Sequence, residues 1–202
     1  MKKKILGYCI NIIKNKYPDY DDEKIEVINY GLESLYLTFT KIFFILFLSI
    51  VLGILKNVIL LIIFYNIIRF TAFGMHAKKS WHCLIISSTM FIGGVYICEY
   101  VFIPFILKVI LSLICIFLVF KYAPADTEKR PIINKKRRKI YKILSILLSG
   151  IFTTLIVIFN ESLISNYLLL GLVWATIMIL PISYRLFDLP YDNYKRYNLN
   201  GV

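Results

Sequence analysis

Residues 105–122 read FILKVILSLICIFLVFKY, and this stretch decides the fold class. Between Lys108 and Lys121 it carries no charged side chain. The hydrocarbon core of a bilayer is about 30 Å thick, and a helix needs about 20 mostly apolar residues to cross it. The stretch is close to that length, and we therefore predict that it forms a membrane-spanning helix.

Five further apolar stretches of similar length lie on both sides of it. Of the 202 residues, 59% are hydrophobic, against about 45–50% in an ordinary soluble domain. We predict an all-α polytopic membrane helix bundle of about six spans, at 37–55, 57–75, 84–103, 105–122, 143–160 and 164–182. Asn66 and Arg69 leave open whether the second span is continuous, broken or re-entrant.

The N-terminal residues 1–36 predict two amphipathic interfacial helices. In the first, apolar residues follow helical spacing opposite a polar face that includes Lys3, Lys4 and Lys14. Such a basic helix is typical of one that lies on an anionic lipid surface. The chain is thus expected to comprise these helices, a membrane domain at 37–182 with a basic cytoplasmic loop at 123–142, and a cytoplasmic tail at 183–202.

The basic residues predict the orientation. With both termini in the cytoplasm, 21 of the 24 Lys and Arg residues lie on or near the cytoplasmic face. Only Lys56 and Lys108 then face the other side, and Lys41 lies within the first span. Such a bias indicates a multi-pass protein of the cell membrane with both termini inside. Because orientation explains the net charge of +12, we expect no nucleic-acid partner.

The most reactive side chains are gathered in residues 74–83, GMHAKKSWHC, which hold both histidines and one of the four cysteines. His76 and Cys83 are seven residues apart, so a continuous helix would separate them by about 10 Å along its axis. A nucleophile and its base need hydrogen-bond reach of about 3 Å. Catalysis by this pair within one chain therefore predicts a turn, which Gly74 permits.

Ser80 is the predicted N-cap of a helix that begins at Trp81, which puts Cys83 in the first turn. The positive end of the helix dipole, with Lys78 and Lys79, favours the thiolate form of that cysteine. An ordinary packing role for Cys83 remains open, and His82 is only a reserve base because its side chain points elsewhere. Two histidines and one cysteine supply too few ligands for zinc, so we predict no metal and no cofactor.

Residues 121–142, KYAPADTEKRPIINKKRRKIYK, contain nine basic side chains. Orientation explains part of this surplus, and the remainder could bind lipid headgroups or an acidic peptide. Asp126 and Glu128 either orient His76 or pair with Arg130. The candidate substrate-binding residues are Arg69, Lys78, Lys79, Lys129, Arg130, Lys135, Lys136, Arg137 and Arg138.

Two separated motifs, RFTAFGMHAKKSWHC at 69–83 and YAPADTEKRPI at 122–132, give the chain a family resemblance. Together with the length, the basic amphipathic start and the order of spans, they resemble the AgrB (accessory gene regulator B) family of membrane peptidases. One departure is visible: Phe73-Gly74 stands where the family usually has two glycines. The local backbone has less freedom as a result.

The resemblance implies a cysteine endopeptidase that processes the precursor of a quorum-sensing peptide, with His76 and Cys83 as its catalytic pair. A Cys83 thioester would form as the C-terminal tail of the precursor leaves, and a residue of the precursor would then close a thiolactone or lactone ring. The implied partners are a membrane-associated amphipathic precursor (AgrD-like) with an acidic tail, and a second copy of the chain in a homodimer.

Two other functions remain as alternatives. The first is a small membrane transporter or exporter of peptides, in which the intramembrane charges of Arg69 and Glu99 serve a substrate path. Those residues lie toward opposite faces of the membrane, and the sequence gives neither an evident partner within the spans. The second is a membrane-embedded metalloprotease, which chelators would inhibit.

Overall fold

The computed structural model describes residues 2–75, 80–127 and 131–195 of the chain. Within these ranges the regular elements are helices, which confirms the all-α class. The chain divides into two compact units, Met1–Leu48 and Ser49–Val202.

The first unit contains helix α1, Lys2–Lys16, and most of helix α2, Asp22–Val51. The Asp21 carboxylate accepts a hydrogen bond of 2.8 Å from the Lys24 backbone N–H, and this caps the start of α2. No proline or other strong helix breaker interrupts residues 32–40. The helix therefore runs on through residues 36 and 37, where the sequence placed the boundary between an interfacial helix and the first span.

The second unit contains the remaining elements. Helix α3 spans Leu55–Ala72, α4 Ser80–Ser88, α5 Gly94–Tyr100, α6 Phe105–Tyr122, α7 Lys135–Ile158, α8 Leu163–Ile177 and α9 Pro181–Leu186. A π-helical turn, Thr89–Gly93, joins α4 to α5. The last eight of the 20 residues of the predicted basic loop at 123–142 are thus helical, because the Asn134 side chain accepts a hydrogen bond from the Arg137 N–H and caps α7 there.

Five helical segments among the described residues are long and apolar enough to cross a membrane: Lys24–Val51, Leu55–Ala72, Trp81–Tyr100, Phe105–Tyr122 and Lys135–Ile158. The sixth predicted span corresponds to α8, which has 15 residues and so a length of about 22 Å. The second span is a continuous α-helix. The irregularity that Asn66 and Arg69 left open there occurs instead in the third span, as its π-helical turn.

Helix α8 lies at the centre of the second unit and packs against α3, α6 and α7. A Cβ atom added at Gly171 would lie 3.0 Å from both the Phe64 Cβ and the Tyr65 backbone nitrogen. The absence of a side chain at Gly171 therefore lets α3 and α8 approach closely. The buried residues around this contact form one core: Ile68, Ala72, Met75, Cys115, Val119, Ala123, Ala125, Phe152, Ile156, Leu168, Leu169, Leu172, Ala175, Ile179 and Tyr184.

The end of the bundle at which α3 and α8 begin contains a polar cluster around Glu99. The Glu99 carboxylate accepts hydrogen bonds from the Asn57 amide and, at 3.2 Å, from the Tyr167 hydroxyl. The expectation that Glu99 has no partner within the spans is therefore wrong. The sequence missed these partners because they lie on two other helices. This cluster joins α3, α5 and α8.

Lys108 is buried at the same end of the bundle, with 5% of its surface exposed. Its ammonium donates to the Asn160 carbonyl at 2.9 Å and to the Ser165 hydroxyl at 2.6 Å. Asn160 follows the end of α7, and Ser165 lies in the first turn of α8. Lys108 therefore holds the connection between these two helices together.

The α3–α8 contact predicts a difference between two glycine substitutions. Gly171→Val forces α3 and α8 apart and should lower the free energy of unfolding by about 1–3 kcal/mol, the usual cost of overpacking. Gly150→Val is the matched control, because nothing lies within 4 Å of a Cβ atom there. Thermal unfolding of the two purified variants in detergent measures the effect. Equal stabilities would contradict the proposed role of Gly171.

Candidate functional site

The chain leaves α3 through a short turn immediately before the predicted catalytic histidine. Helix α3 ends at Ala72, and the next two residues have positive φ angles, 58° at Phe73 and 115° at Gly74. These values lie outside the right-handed helical region. The chain therefore turns just before His76, and we call residues 73–75 the connector. Whether the chain also turns between His76 and Cys83, as the proposed chemistry requires, stays a prediction, because residues 76–79 lie outside the described part of the chain.

Two other parts of the bundle hold the backbone of the connector. The Gly74 N–H donates to the Ala125 carbonyl at 2.8 Å, and the Ala125 N–H donates to the Ala72 carbonyl at 2.9 Å. The Met75 N–H donates to the Met178 carbonyl at 3.0 Å. The segment after α6 and the end of α8 therefore fix the chain up to the residue that precedes His76.

Arg69 holds the connector from a third side. One guanidinium nitrogen, Nη2, donates to the Met75 carbonyl, and the guanidinium lies 5.8 Å from the centre of the Tyr65 ring. Nη1 is buried and has no hydrogen-bond partner within the described residues. Arg69 was predicted as a substrate-binding residue, but its guanidinium binds the connector of its own chain.

Cys83 is the fourth residue of α4 as described, Ser80–Ser88, the helix that the sequence predicted from Trp81. Its side chain is half-buried. Tyr65, on α3, lies near enough to both Cys83 and Arg69 to interact electrostatically with them. Cys83 therefore lies within electrostatic range of Tyr65, the α3 residue that also lies under the Arg69 guanidinium.

His82 belongs to a different face of α4. Its ring packs on the Trp81 ring, with 3.8 Å between the centroids. It lines a surface cleft of about 520 Å³ together with Trp81, Ile85, Ile86, Leu186, Phe187 and Asp188. Cys83 is not among the lining residues, which agrees with the expectation that the His82 side chain points elsewhere.

Asp126 is buried, with 2% of its surface exposed. Its carboxylate accepts hydrogen bonds from the backbone N–H groups of Asn193 at 3.1 Å, Tyr194 at 2.9 Å and Ile132 at 3.3 Å. An Arg138 guanidinium nitrogen lies 3.9 Å from the same carboxylate. Among the described residues, the partners of the Asp126 carboxylate are therefore Arg138, the Ile132 backbone and the C-terminal segment.

The basic residues at the start of α7 form two groups. Lys135, Lys136, Arg137 and Lys139 are exposed. Arg138 instead stacks on the Tyr194 ring, 3.5 Å from its centroid, and lies 4.0 Å from the Asp192 carboxylate. Of the predicted substrate-binding residues at the start of α7, Lys135, Lys136 and Arg137 are therefore exposed, with Lys139 as an exposed neighbour, whereas Arg138 is engaged within the chain.

The remaining predicted site residues lie outside the described part of the chain. These are His76, Lys78, Lys79, Glu128, Lys129 and Arg130, and the side chain of Ser80 is likewise not described. The pairing of Asp126 or Glu128 with His76 or Arg130 therefore stays a prediction, as does the distance from His76 to Cys83.

Sequence reasoning missed several residues that build the site. Tyr65 could have been found, because it precedes Arg69 by four residues and so shares its helix face. Met178, Tyr184, Asn193 and Tyr194 gave no local signal. They reach the site through backbone groups or contacts across more than fifty residues of sequence.

Comparisons with known proteins agree with the resemblance found in the motifs. The family model described as "Accessory gene regulator B" matches residues 7–179. A protein of Clostridium acetobutylicum described as AgrB-like is 28% identical over 94% of this chain and 90% of its own length. The accessory gene regulator protein B of Staphylococcus aureus is 33% identical over 76% of this chain and 81% of its own length. No solved structure matches the chain significantly.

The geometry of the connector predicts a strong effect of Gly74→Ala. The added Cβ atom would meet Arg69 Nη1 and lie 2.6 Å from the Met178 carbonyl oxygen, at a φ of 115°. Gly53→Ala is the matched control, since Gly53 also has a positive φ, of 72°, but nothing lies within 4 Å of its added Cβ. Positive φ alone costs roughly 1–2 kcal/mol for an L residue.

We expect Gly74→Ala to lose more stability than Gly53→Ala and to speed hydrogen exchange at the Met75 amide, which Gly53→Ala leaves protected. Thermal unfolding and hydrogen–deuterium exchange in detergent measure the two effects. An unchanged exchange rate at Met75 in Gly74→Ala would show that the packing around Gly74 does not hold the connector.

Proposed function

We propose that this chain, which belongs to the AgrB (accessory gene regulator B) family, is a membrane-embedded cysteine endopeptidase that processes an AgrD-like precursor peptide. The family supports a role in quorum-sensing peptide processing. The observation that supports the more specific proposal is that α3 ends in a turn at Phe73 and Gly74, with Cys83 close to the described start of the next helix, α4.

The proposed reaction begins with attack of the Cys83 thiolate on a peptide carbonyl of the precursor. The tetrahedral intermediate collapses, the C–N bond breaks, and His76 protonates the amine of the departing C-terminal fragment. The remaining precursor is then attached to Cys83 as a thioester. Tyr65 interacts electrostatically with Cys83 and with Arg69, so we place it on the α3 side of the space in which this occurs.

A thiol or hydroxyl of the precursor then attacks the thioester, which closes a thiolactone or lactone ring and regenerates the Cys83 thiol. Exchange of one thioester for another is nearly isoenergetic, so water must be excluded or hydrolysis would prevail. A thiol at the edge of a membrane bundle favours that exclusion.

The substrate-binding part of the proposal concerns the exposed start of α7. Lys135, Lys136, Arg137 and Lys139 are exposed at a helix N-terminus, where backbone N–H groups also favour anions. We assign the acidic tail of the precursor to this surface. Arg138 is left out of the assignment because Asp126, Asp192 and Tyr194 already engage its guanidinium.

The orientation, the lipid contact and the oligomeric state complete the proposal. The bundle end that holds the connector and the start of α7 faces the cytoplasm, as the excess of basic residues on that side favours. Helix α1 lies on the anionic inner surface of the membrane. The active assembly is a homodimer, as the family resemblance implies.

The proposed nucleophile and base predict which variants lose precursor cleavage. Cys83→Ala and His76→Ala should each lower precursor cleavage by a factor on the order of 10⁴ or more, the scale at which nucleophiles and their bases act. His82→Ala is the matched control, because its imidazole lines a separate cleft, and it should retain activity. Mass spectrometry of a co-expressed precursor measures cleavage, and immunoblots of the membrane fraction verify the amount of each variant.

Unimpaired cleavage by Cys83→Ala would end the cysteine-peptidase proposal. Cleavage that survives thiol alkylation but stops with chelators would identify a metal-dependent peptidase instead.

The assignment of the acidic tail predicts a change in salt dependence. Reversal of Lys135, Lys136 and Arg137 to Glu should weaken binding of a synthetic acidic tail peptide by about 10-fold, because exposed charge pairs contribute less than about 1 kcal/mol each. The affinity of the charge-reversed protein for this peptide should also depend less on salt concentration. Reversal of Lys14, Lys16 and Lys24 gives the same change in net charge in the other compact unit and is the control.

Fluorescence anisotropy in neutral detergent measures peptide binding without competing lipid. If affinity and salt dependence stay unchanged while binding to anionic vesicles falls, the start of α7 binds lipid rather than the precursor.

A further inference from the structure

The last described residues of the chain fold back onto Asp126. We call residues 189–194 the C-terminal strap. Backbone N–H groups of Asn193 and Tyr194 donate to the two oxygens of the Asp126 carboxylate at 3.1 and 2.9 Å. Asn193 is 1% exposed and Asp126 is 2% exposed. The strap is therefore tied down at a buried carboxylate rather than lying loosely on the surface.

Arg138 closes the other side of this attachment. Its guanidinium lies 3.9 Å from the Asp126 carboxylate and 4.0 Å from the Asp192 carboxylate, and it stacks on the Tyr194 ring at 3.5 Å. A planar guanidinium can make ion pairs along its edge while its face stacks on an aromatic ring. The strap, Asp126 and the start of α7 thus form one interlocked group.

The same residue, Asp126, is linked through its backbone to the connector. Its carbonyl accepts a hydrogen bond of 2.9 Å from the Tyr184 hydroxyl, and burial raises the pKa of Tyr184, which keeps that hydroxyl protonated. The preceding residue, Ala125, pairs with Ala72 and Gly74 through backbone hydrogen bonds of 2.9 and 2.8 Å. Three consecutive links therefore join the strap to Asp126, Asp126 to Ala125, and Ala125 to the connector.

We propose that Asp126 is a positioning residue of the peptidase: by anchoring the C-terminal strap and, through Ala125, the connector, it sets where the chain delivers the residue after Met75. That residue is His76, so the inference rests on the proposed function, in which His76 serves Cys83. Asp126 does not touch substrate in this role. Both of its carboxylate oxygens accept backbone N–H groups, which leaves it poorly placed as a general acid or base.

The test compares Asp126→Asn with His76→Ala and the unchanged protein in detergent. An asparagine amide would present an NH₂ group to backbone N–H donors and so would release the strap. The first readout is the pH dependence of Cys83 alkylation by iodoacetamide, followed by peptide mass spectrometry. The second is the split between kcat and KM for a synthetic precursor. Asp188→Asn, at an exposed position of the same C-terminal region, is the matched control.

We expect Asp126→Asn to shift the midpoint pH of Cys83 alkylation in the same direction as His76→Ala does. The size of this shift should be at least half of that in His76→Ala. We also expect kcat to fall by about 100-fold, the scale for a small misplacement of catalytic groups, while KM changes little. Asp188→Asn should match the unchanged protein. A normal midpoint and kcat in Asp126→Asn would overturn the inference and leave Asp126 a merely structural role.

A folding defect is recognised from Cys98 and Cys115, which are buried in the bundle and should stay protected from alkylation. If Asp126→Asn exposes them, Arg138→Gln decides the question, because it keeps the carboxylate and its backbone donors and should give a smaller shift in the same direction. No shift in a folded Arg138→Gln would then overturn the inference.

Failure of the proposed function is distinguishable from failure of this inference. It would appear as identical alkylation profiles for the unchanged protein and His76→Ala, with no cleavage by either. In that case hydrogen–deuterium exchange at Gly74 and Met75 tests the inference. If the strap holds the connector, Asp126→Asn should make both amides exchange faster. Unchanged protection of both amides would refute the inference.

Discussion

The structure depends on how the backbone leaves α3. A helix that ends inside a membrane bundle exposes N–H and C=O groups, and without water each unsatisfied group costs several kcal/mol. Here the N–H groups of Gly74 and Met75 donate hydrogen bonds to the carbonyls of Ala125 and Met178. The Met75 carbonyl accepts a hydrogen bond from the Arg69 guanidinium. The helix can therefore end between two spans only because two distant segments supply main-chain partners at the same place. Those partners make the connector a defined structure rather than a loop.

The two ends of the second unit satisfy their polar groups in different ways. At one end, side chains on different helices pair with each other or with loop carbonyls, as Glu99 does with Tyr167 and Lys108 with Asn160. At the other end, main-chain groups pair with main chain, and one buried carboxylate gathers three backbone donors. Side-chain pairs hold helices together, whereas main-chain pairing fixes the path of a non-helical segment. The end that contains Cys83 is thus the one at which the chain path is specified.

Much of the fold was predictable because the length and periodicity of apolar runs report immersion in lipid. The same signal does not report where helices begin and end, so the boundary at residue 36 fell inside α2, and the span predicted at 143–160 belongs to a helix, α7, that begins at Lys135. Asn134 before a run of helix-forming residues was the unused signal for that start. At the site, Gly74 correctly predicted a turn, since the effect of a glycine on the backbone is local. The anchoring of Asp126 by Asn193 and Tyr194 bridges 67 and 68 residues of sequence, and no local pattern carries such information.

The basic stretch shows why charge in a sequence is not the same as capacity to bind. Nine basic residues lie within 121–142, and by composition they are equivalent. Arg138 differs from its neighbours because its guanidinium stacks on Tyr194 and meets two carboxylates, which fixes the first turn of α7 against the C-terminal strap. The exposed side chains around it then project from a helix start whose position is set. Under the proposed function, an acidic tail would meet these charges on a fixed surface, so one inward-facing arginine would order the site that its neighbours form.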